Sequence, residues 1–153
     1  MDARTTSGST SLIVASQDGH AAVVSALLER GADIAARSNS GNTALHHAAW
    51  KGHAEVVREL LSRGAALNAQ AANGSTPLMQ ACEKGHLAAA TLLLDAGADL
   101  ALLDNAGNSA LVYAERRVER DDEEPEEDEV PPTAAQRAEH AALVALLQAR
   151  GAR

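Results

Sequence analysis

The chain has 153 residues and a formal net charge of −8, with 35 Ala and 19 Leu but only Trp50 and Tyr113 as aromatic residues and no Phe. This length predicts one domain or one short repeat array. The composition argues against a β-sandwich or barrel, because pleated faces draw on β-branched and aromatic side chains. It suits thin, closely stacked helices.

The negative charge is concentrated in one segment. Residues 118–137 hold nine acidic residues and two arginines, whereas the remaining 12 acidic and 11 basic residues nearly cancel. No basic stripe is present, so nucleic acid is a poor candidate partner. Lone Cys82 suits a reducing compartment, and no apolar run approaches the roughly 20 residues of a membrane span. We expect a cytoplasmic chain, or a nuclear one if eukaryotic, that is not secreted and has no membrane partner.

Short motifs recur every 33 residues along the chain. Gly-His occurs at Gly19-His20, Gly52-His53 and Gly85-His86, and Gly-Ala occurs at Gly31-Ala32, Gly64-Ala65 and Gly97-Ala98. Repetition at a fixed period indicates a stacked repeat architecture. We divide the chain into copies at about 5–37, 38–70, 71–103 and 104–153, all within one domain covering residues 1–153.

Each copy has the pattern of two short helices. In the second copy a first helix ends at Gly52, and a second helix with one apolar face ends at Gly64. The apolar residues of the pair are Leu45, Ala48, Ala49, Val56, Val57, Leu60 and Leu61. Small alanines on the first helix let neighbouring copies approach closely, while leucine and valine fill the space between them.

The period and the local motifs together resemble the ankyrin repeat. Thr76-Pro77-Leu78 stands in the third copy, and Thr43-Ala44-Leu45-His46 stands in the second. The resemblance implies an all-α solenoid of four helix-turn-helix repeats, joined by short β-turn or hairpin loops. It also implies a binding module without catalytic activity.

The fourth copy carries an insertion of 21 residues, at about 118–138. Residues 119–132 combine like charges with three prolines, so we expect no fixed structure there. Thr133 and Gln136 have the spacing of a capping box, which predicts a final helix from near Ala134 to about Ala149.

No arrangement of residues predicts catalysis, a metal site or a cofactor. The repeating histidines His20, His53 and His86 fall in successive layers, so they do not converge on one ion, and we expect them to bond the turns. Cys82 stands at a packing position without an adjacent base. The sequence therefore predicts a protein that is not an enzyme.

The resemblance places partner contacts on a concave face formed by the loop tips and the exposed ends of the first helices. Trp50 is the favoured anchor on this face, because aromatic residues often anchor interfaces; the alternative is that its ring lies flat on a neighbouring repeat. Lys51, Lys84 and Arg117 form a basic column, or simply solvated charges. Carried over by position, the candidate contacts are Gln17, Asp18, Asn39, Asn42, Trp50, Lys51, Asn73, Ser75, Glu83, Lys84, Asn105, Asn108, Arg116 and Arg117.

Three functions remain open at this point. The leading hypothesis is a non-catalytic adaptor, monomeric on its own, that binds a protein partner on the concave face. The alternative is a regulator, inhibitor or chaperone-like factor whose acidic insertion engages a basic partner. That insertion folds back over the basic column, extends outward, or acts as a passive tether. A second alternative is that the chain is an enzyme or the substrate of one, since the resemblance marks Asn68 as a candidate for hydroxylation.

Overall fold

A computed structural model describes residues 3–122 and 130–151, which contain eight α-helices and no β-strand. The helices are α1 (Ser11–Asp18), α2 (Ala21–Glu29), α3 (Ala44–Lys51), α4 (Ala54–Ser62), α5 (Pro77–Lys84), α6 (Leu87–Asp95), α7 (Ala110–Asp122) and α8 (Ala134–Ala149). None of the described helices has the length and hydrophobicity needed to span a bilayer.

The helices pack as four layers of two. Each odd-numbered helix contacts the helix that follows it, and both kinds of helix form rows: α1, α3, α5 and α7 in one, α2, α4, α6 and α8 in the other. We call these the first-helix row and the second-helix row. Ala48, Ala49 and Ala81 are fully buried in the first row, where small side chains bring the helices close together. The all-helical stacked architecture predicted from the sequence is confirmed.

The core between the rows is made of aliphatic side chains. Val56, Val57 and Leu60 of α4 are completely buried, as is Leu93 of α6. Burying one such side chain contributes about 1.5–3 kcal/mol. Because α4 and α6 each contact the second helices of the layers on both sides, the stability of each layer depends on its neighbours.

The first helices begin and end with local signals. Thr76 caps α5 by accepting the backbone N–H of Met79 at 3.3 Å, and Pro77 follows at the first helical position. Gly52 ends α3 with φ of +76°, a left-handed conformation that favours glycine. A Cβ at Gly52 would also lie 2.6 Å from Nδ1 of His86, so this glycine makes room for the next layer.

The turn tips form a continuous ladder at one edge of the layers. The backbone N–H groups of Asn39, Ala72 and Asn105 each donate to a carbonyl of the preceding tip, at 2.9, 3.0 and 2.9 Å. Arg4 and Arg37 reinforce the ladder by donating to carbonyls 33 residues further along the chain, at 2.9 and 2.8 Å. The tips are therefore rigid turns rather than free loops.

Around the insertion, one prediction is confirmed and another is wrong. Helix α8 begins at Ala134 behind the predicted capping box, in which the Thr133 N–H donates to Gln136 Oε1 at 2.8 Å. The expectation of no fixed structure fails for residues 119–122, because α7 continues to Asp122. The position of the helix-ending glycine is taken by Val118, so nothing stops the helix there. Residues 123–129, where the rest of that prediction falls, lie outside the described part of the chain.

Candidate functional site

A polar groove lies on the first-helix row, where α3 and α5 meet their turn tips. Its volume is about 350 Å³. Its lining consists of Asn42, His47, Trp50, Asn73, Ser75, Gln80 and Glu83. Six of these seven side chains are polar, and Trp50 adds the only large apolar surface of the lining. The groove therefore suits a polar segment with one apolar group.

Trp50 is half-buried rather than fully solvated. Its indole packs against the next layer, where Lys84 places Nζ 4.0 Å from the ring centroid. Such a cation–π contact contributes about 0.5–1 kcal/mol at a partly exposed site. It also fixes the ammonium group beside the groove, so Trp50 and Lys84 form one platform that spans α3 and α5.

Buried amide and hydroxyl groups hold the groove in shape. Gln80 donates from Nε2 to Asn42 Oδ1 at 2.9 Å and to Ser75 Oγ at 3.2 Å, which links two layers. The Ser75 hydroxyl donates in turn to Asn73 Oδ1 at 2.8 Å. Ser75 and Gln80 are buried. Ser75, one of the candidate contacts, therefore supports Asn73 rather than facing solvent.

The two adjacent histidines of α3 occupy different environments. His46 is buried; its Nδ1 accepts the Thr43 N–H at 3.1 Å, and its Nε2 donates to the Ser75 carbonyl at 3.1 Å. Burial lowers the pKa of His46 from 6.5 to about 4, so the imidazole is neutral. Burial and then Lys51 lower the pKa of His47, whose Nε2 is buried without a partner among the described residues.

The repeating histidines join the layers instead of bonding their own turns. His53 donates from Nε2 to the Gln17 carbonyl at 2.9 Å, and His86 donates in the same way to the Trp50 carbonyl at 3.1 Å. Each bond satisfies a carbonyl at the end of the preceding first helix. In residues 3–122 and 130–151, no three metal-binding side chains cluster.

His140 departs from this pattern, and its partner was missed by the sequence reasoning. Its Nδ1 donates to Oδ2 of Asp121, and each side chain is only 5% exposed. Arg117 Nε lies 3.9 Å from the other carboxylate oxygen. Asp121 had been counted among the charges of the insertion, whereas it closes a buried clasp between α7 and α8. The i, i+4 spacing of Arg117 and Asp121 was the available signal.

Several candidate contacts on the tips serve the fold. The side-chain amides of Asn39 and Asn105 donate to carbonyls of the preceding tip, at 3.1 and 3.0 Å. Asn108 donates from its backbone to Asp104 Oδ1 at 2.8 Å. The same carboxylate accepts the Tyr113 hydroxyl at 2.6 Å, which raises the pKa of Tyr113 to about 12. These amides hold the turns.

The remaining candidate contacts are accessible and differ in charge. Gln17, Asp18, Lys51, Asn73 and Arg116 are exposed, and Asn42, Glu83, Lys84 and Arg117 are partly exposed. The middle of this face, at α3 and α5, combines them with a groove. Cys82, in contrast, is fully buried, and burial raises the pKa of its thiol, so it is protonated and packed in the core.

Comparison with known proteins agrees with this geometry. A family model described as ankyrin repeats, in three copies, matches residues 1–71 and 64–122. The chain belongs to the ankyrin-repeat family, whose members are typically non-enzymatic and whose repeats generally mediate protein–protein interactions. No curated protein matches the chain.

Proposed function

We propose that this chain is a four-repeat ankyrin array that acts as a non-catalytic adaptor. Its partner is a protein, bound on the concave face of turn tips and first helices. The observation that carries the proposal is the Trp50–Lys84 platform, with Nζ 4.0 Å from the ring, beside a groove of about 350 Å³. A half-buried aromatic residue on a rigid scaffold is the kind of side chain that anchors interfaces.

The charges around the platform favour an acidic partner segment. Lys51, Lys84 and Arg116 lie along the face with Asp18 and Glu83 as the opposing charges. Arg117 is near the buried carboxylate of Asp121. The exposed surplus is positive. Such complementarity raises association rates and selects partners more than it adds affinity.

The test is affinity capture with Trp50→Ala and Arg116→Glu variants of the whole chain. Arg58→Glu is the matched control, because Arg58 is an exposed arginine on the second-helix row whose ion-pair partner among the described residues is neighbouring Glu55. Partners of the concave face should be lost in the first two variants and kept in the control. If Trp50→Ala and Arg116→Glu retain every partner, the proposal is wrong.

A second candidate function uses the acidic insertion at about 118–138 to engage a basic partner. It is favoured by the Asp121–His140 clasp, which holds together the two helices that flank residues 123–129. Neutralising the five glutamates of residues 123–129, with Glu123, Glu124, Glu126, Glu127 and Glu129 replaced by Gln, should abolish salt-sensitive binding of an oligolysine probe. If the oligolysine probe binds as before, the segment is a passive tether. In either case, affinity capture of partners that depend on Trp50 should be unaffected.

A further inference from the structure

One side of the first layer lacks the cover that the same positions receive in every later layer. Val23 on α2 is 48% exposed, although its neighbour Val24 is fully buried against the second layer. The residues equivalent to Val23 in the later layers are Val56, Ala89 and Leu143, each 0% exposed. Those three belong to layers that have a preceding layer to pack against, whereas no layer precedes Val23 among the described residues.

A second apolar position shows the same contrast. Leu27 is only partly buried, whereas its equivalents Leu60, Leu93 and Leu147 are completely buried. With Val14 and Ala15, these side chains line an open groove of about 470 Å³ that also contacts Asp18 and His20. We call this surface the α1–α2 end face.

The polar groups of the end face also lack the partners that equivalent residues have in later layers. His20 is exposed, while His53 and His86 donate to carbonyls of the preceding first helix. Arg30 is exposed. Two of its three equivalents are arginines that pair with an acidic residue one layer earlier: Arg63 lies 3.5 Å from Glu29, and Arg150 lies 2.7 Å from Asp95, while the third is Ala96. A fitting occupant would therefore supply apolar side chains, a carboxylate and a free carbonyl at a helix end.

The opposite end of this chain does not supply those groups. Gln148 stands where earlier layers have leucine, and Ala149 stands where Asp95 and Glu29 provide a carboxylate. Arg116 occupies the position of Gln17 and Trp50, but α7 continues past it, so its carbonyl stays within the helix. A second copy stacked head to tail would leave the end face poorly matched.

We propose that the α1–α2 end face docks a helical-repeat layer of a separate protein. The occupant presents leucine toward Val23 and Leu27, a carboxylate toward Arg30 and a helix-terminal carbonyl toward His20. The same apolar positions are buried at all three junctions between layers inside the chain. The arginine–carboxylate pair and the histidine–carbonyl bond each occur at two of those junctions, so both sides of such an interface are seen in this chain. Of the candidate contacts on the concave face, the end-face groove is lined by Asp18 and not by Trp50 or Lys84. If the end-face proposal fails, the Trp50 proposal therefore stays intact.

The test builds the apolar and acidic groups of the missing side onto a full-length copy. A donor chain carries Gln148→Leu and Ala149→Asp, both at exposed positions, and Val23→Lys to block its own end face. The acceptor is the natural chain, and binding is followed by sedimentation velocity and by hydrogen exchange in α1 and α2. We expect a one-to-one complex in which those two helices gain protection.

Two acceptor variants define the surface. Val23→Lys in the acceptor should weaken the complex by about tenfold or more, because it removes a buried valine from the interface. Leu103→Lys, which alters an exposed leucine at the far end of the tip ladder, should leave it unchanged. The proposal is overturned if the donor does not bind, or if Val23→Lys acceptors bind as tightly. Self-association of the natural chain that Val23→Lys abolishes would overturn it too, by making a second copy the occupant.

Discussion

Acid should destabilise this protein because His46 takes up a proton, and the resulting loss of unfolding free energy is large enough to measure for this one residue. The imidazole is completely buried, it accepts the Thr43 N–H, and it donates to the Ser75 carbonyl. Burial lowers its pKa from 6.5 to about 4 in the folded state. Because the folded pKa is depressed, the unfolded chain takes up the proton first. The stabilisation by neutral His46 is complete above pH 6.5 and is lost as the pH falls toward 4.

The magnitude follows from that difference in pKa. Between pH 7.5 and pH 5, linkage removes about 2 kcal/mol of unfolding free energy through this one residue. His46→Met is the informative variant, because Met79 already occupies the equivalent position 33 residues later. Its Sδ accepts the Thr76 N–H at 3.4 Å. At pH 7.5 the variant should lose about 1 kcal/mol, the usual worth of the hydrogen bond to Ser75.

Urea unfolding at pH 7.5 and pH 5 separates these effects. The natural chain should lose about 2 kcal/mol more than His46→Met over this interval, so that the two stability curves meet between pH 5 and pH 6. His47 and His86 also have lowered pKa values, but they contribute equally to both proteins. Equal losses in the two proteins would refute the assignment of the acid sensitivity to His46.

Three further substitutions test other contacts by urea unfolding. Asp121→Asn removes the charged acceptor of a buried imidazole and should cost about 1–3 kcal/mol, whereas exposed Glu119→Gln should change little; equal effects would contradict a buried clasp. Gly85→Ala places a Cβ 2.1 Å from the imidazole of His140 and also strains a residue with positive φ. Gly97→Ala introduces only the strain of positive φ, about 1 kcal/mol, so Gly85→Ala should lower the unfolding free energy clearly more. Thr133→Ala should cost about 1 kcal/mol by removing the cap of α8, and no loss would show that the cap is redundant.

The repeating parts of the fold were predictable because their signals are local. The glycine that ends α3 and the capping box before α8 each act within one helical turn, so the sequence shows them directly. Periodicity supplied the order of the layers, since residues 33 apart take equivalent places. These signals do not depend on a distant part of the chain.

What escaped prediction depends on contacts between layers. Asp121 looked like one more charge in an acidic run, and only its approach to His140 reveals a buried clasp. Trp50 was expected to face solvent, but the position of Lys84 over its ring follows from how two first helices pack. Likewise, no local pattern shows that the side-chain amide of Asn39 donates a hydrogen bond to the preceding tip.

The clasp between α7 and α8 also bears on how this chain can evolve. Asp121 and His140 hold the two flanking helices together through their own side chains. Doubling the length of chain between two joined points costs only about 0.6 kcal/mol of closure entropy, less than a buried contact of this kind typically provides. Descendants can therefore lengthen, shorten or recode the intervening stretch while the final layer keeps its alignment, which makes it a natural position for acquiring new specificity.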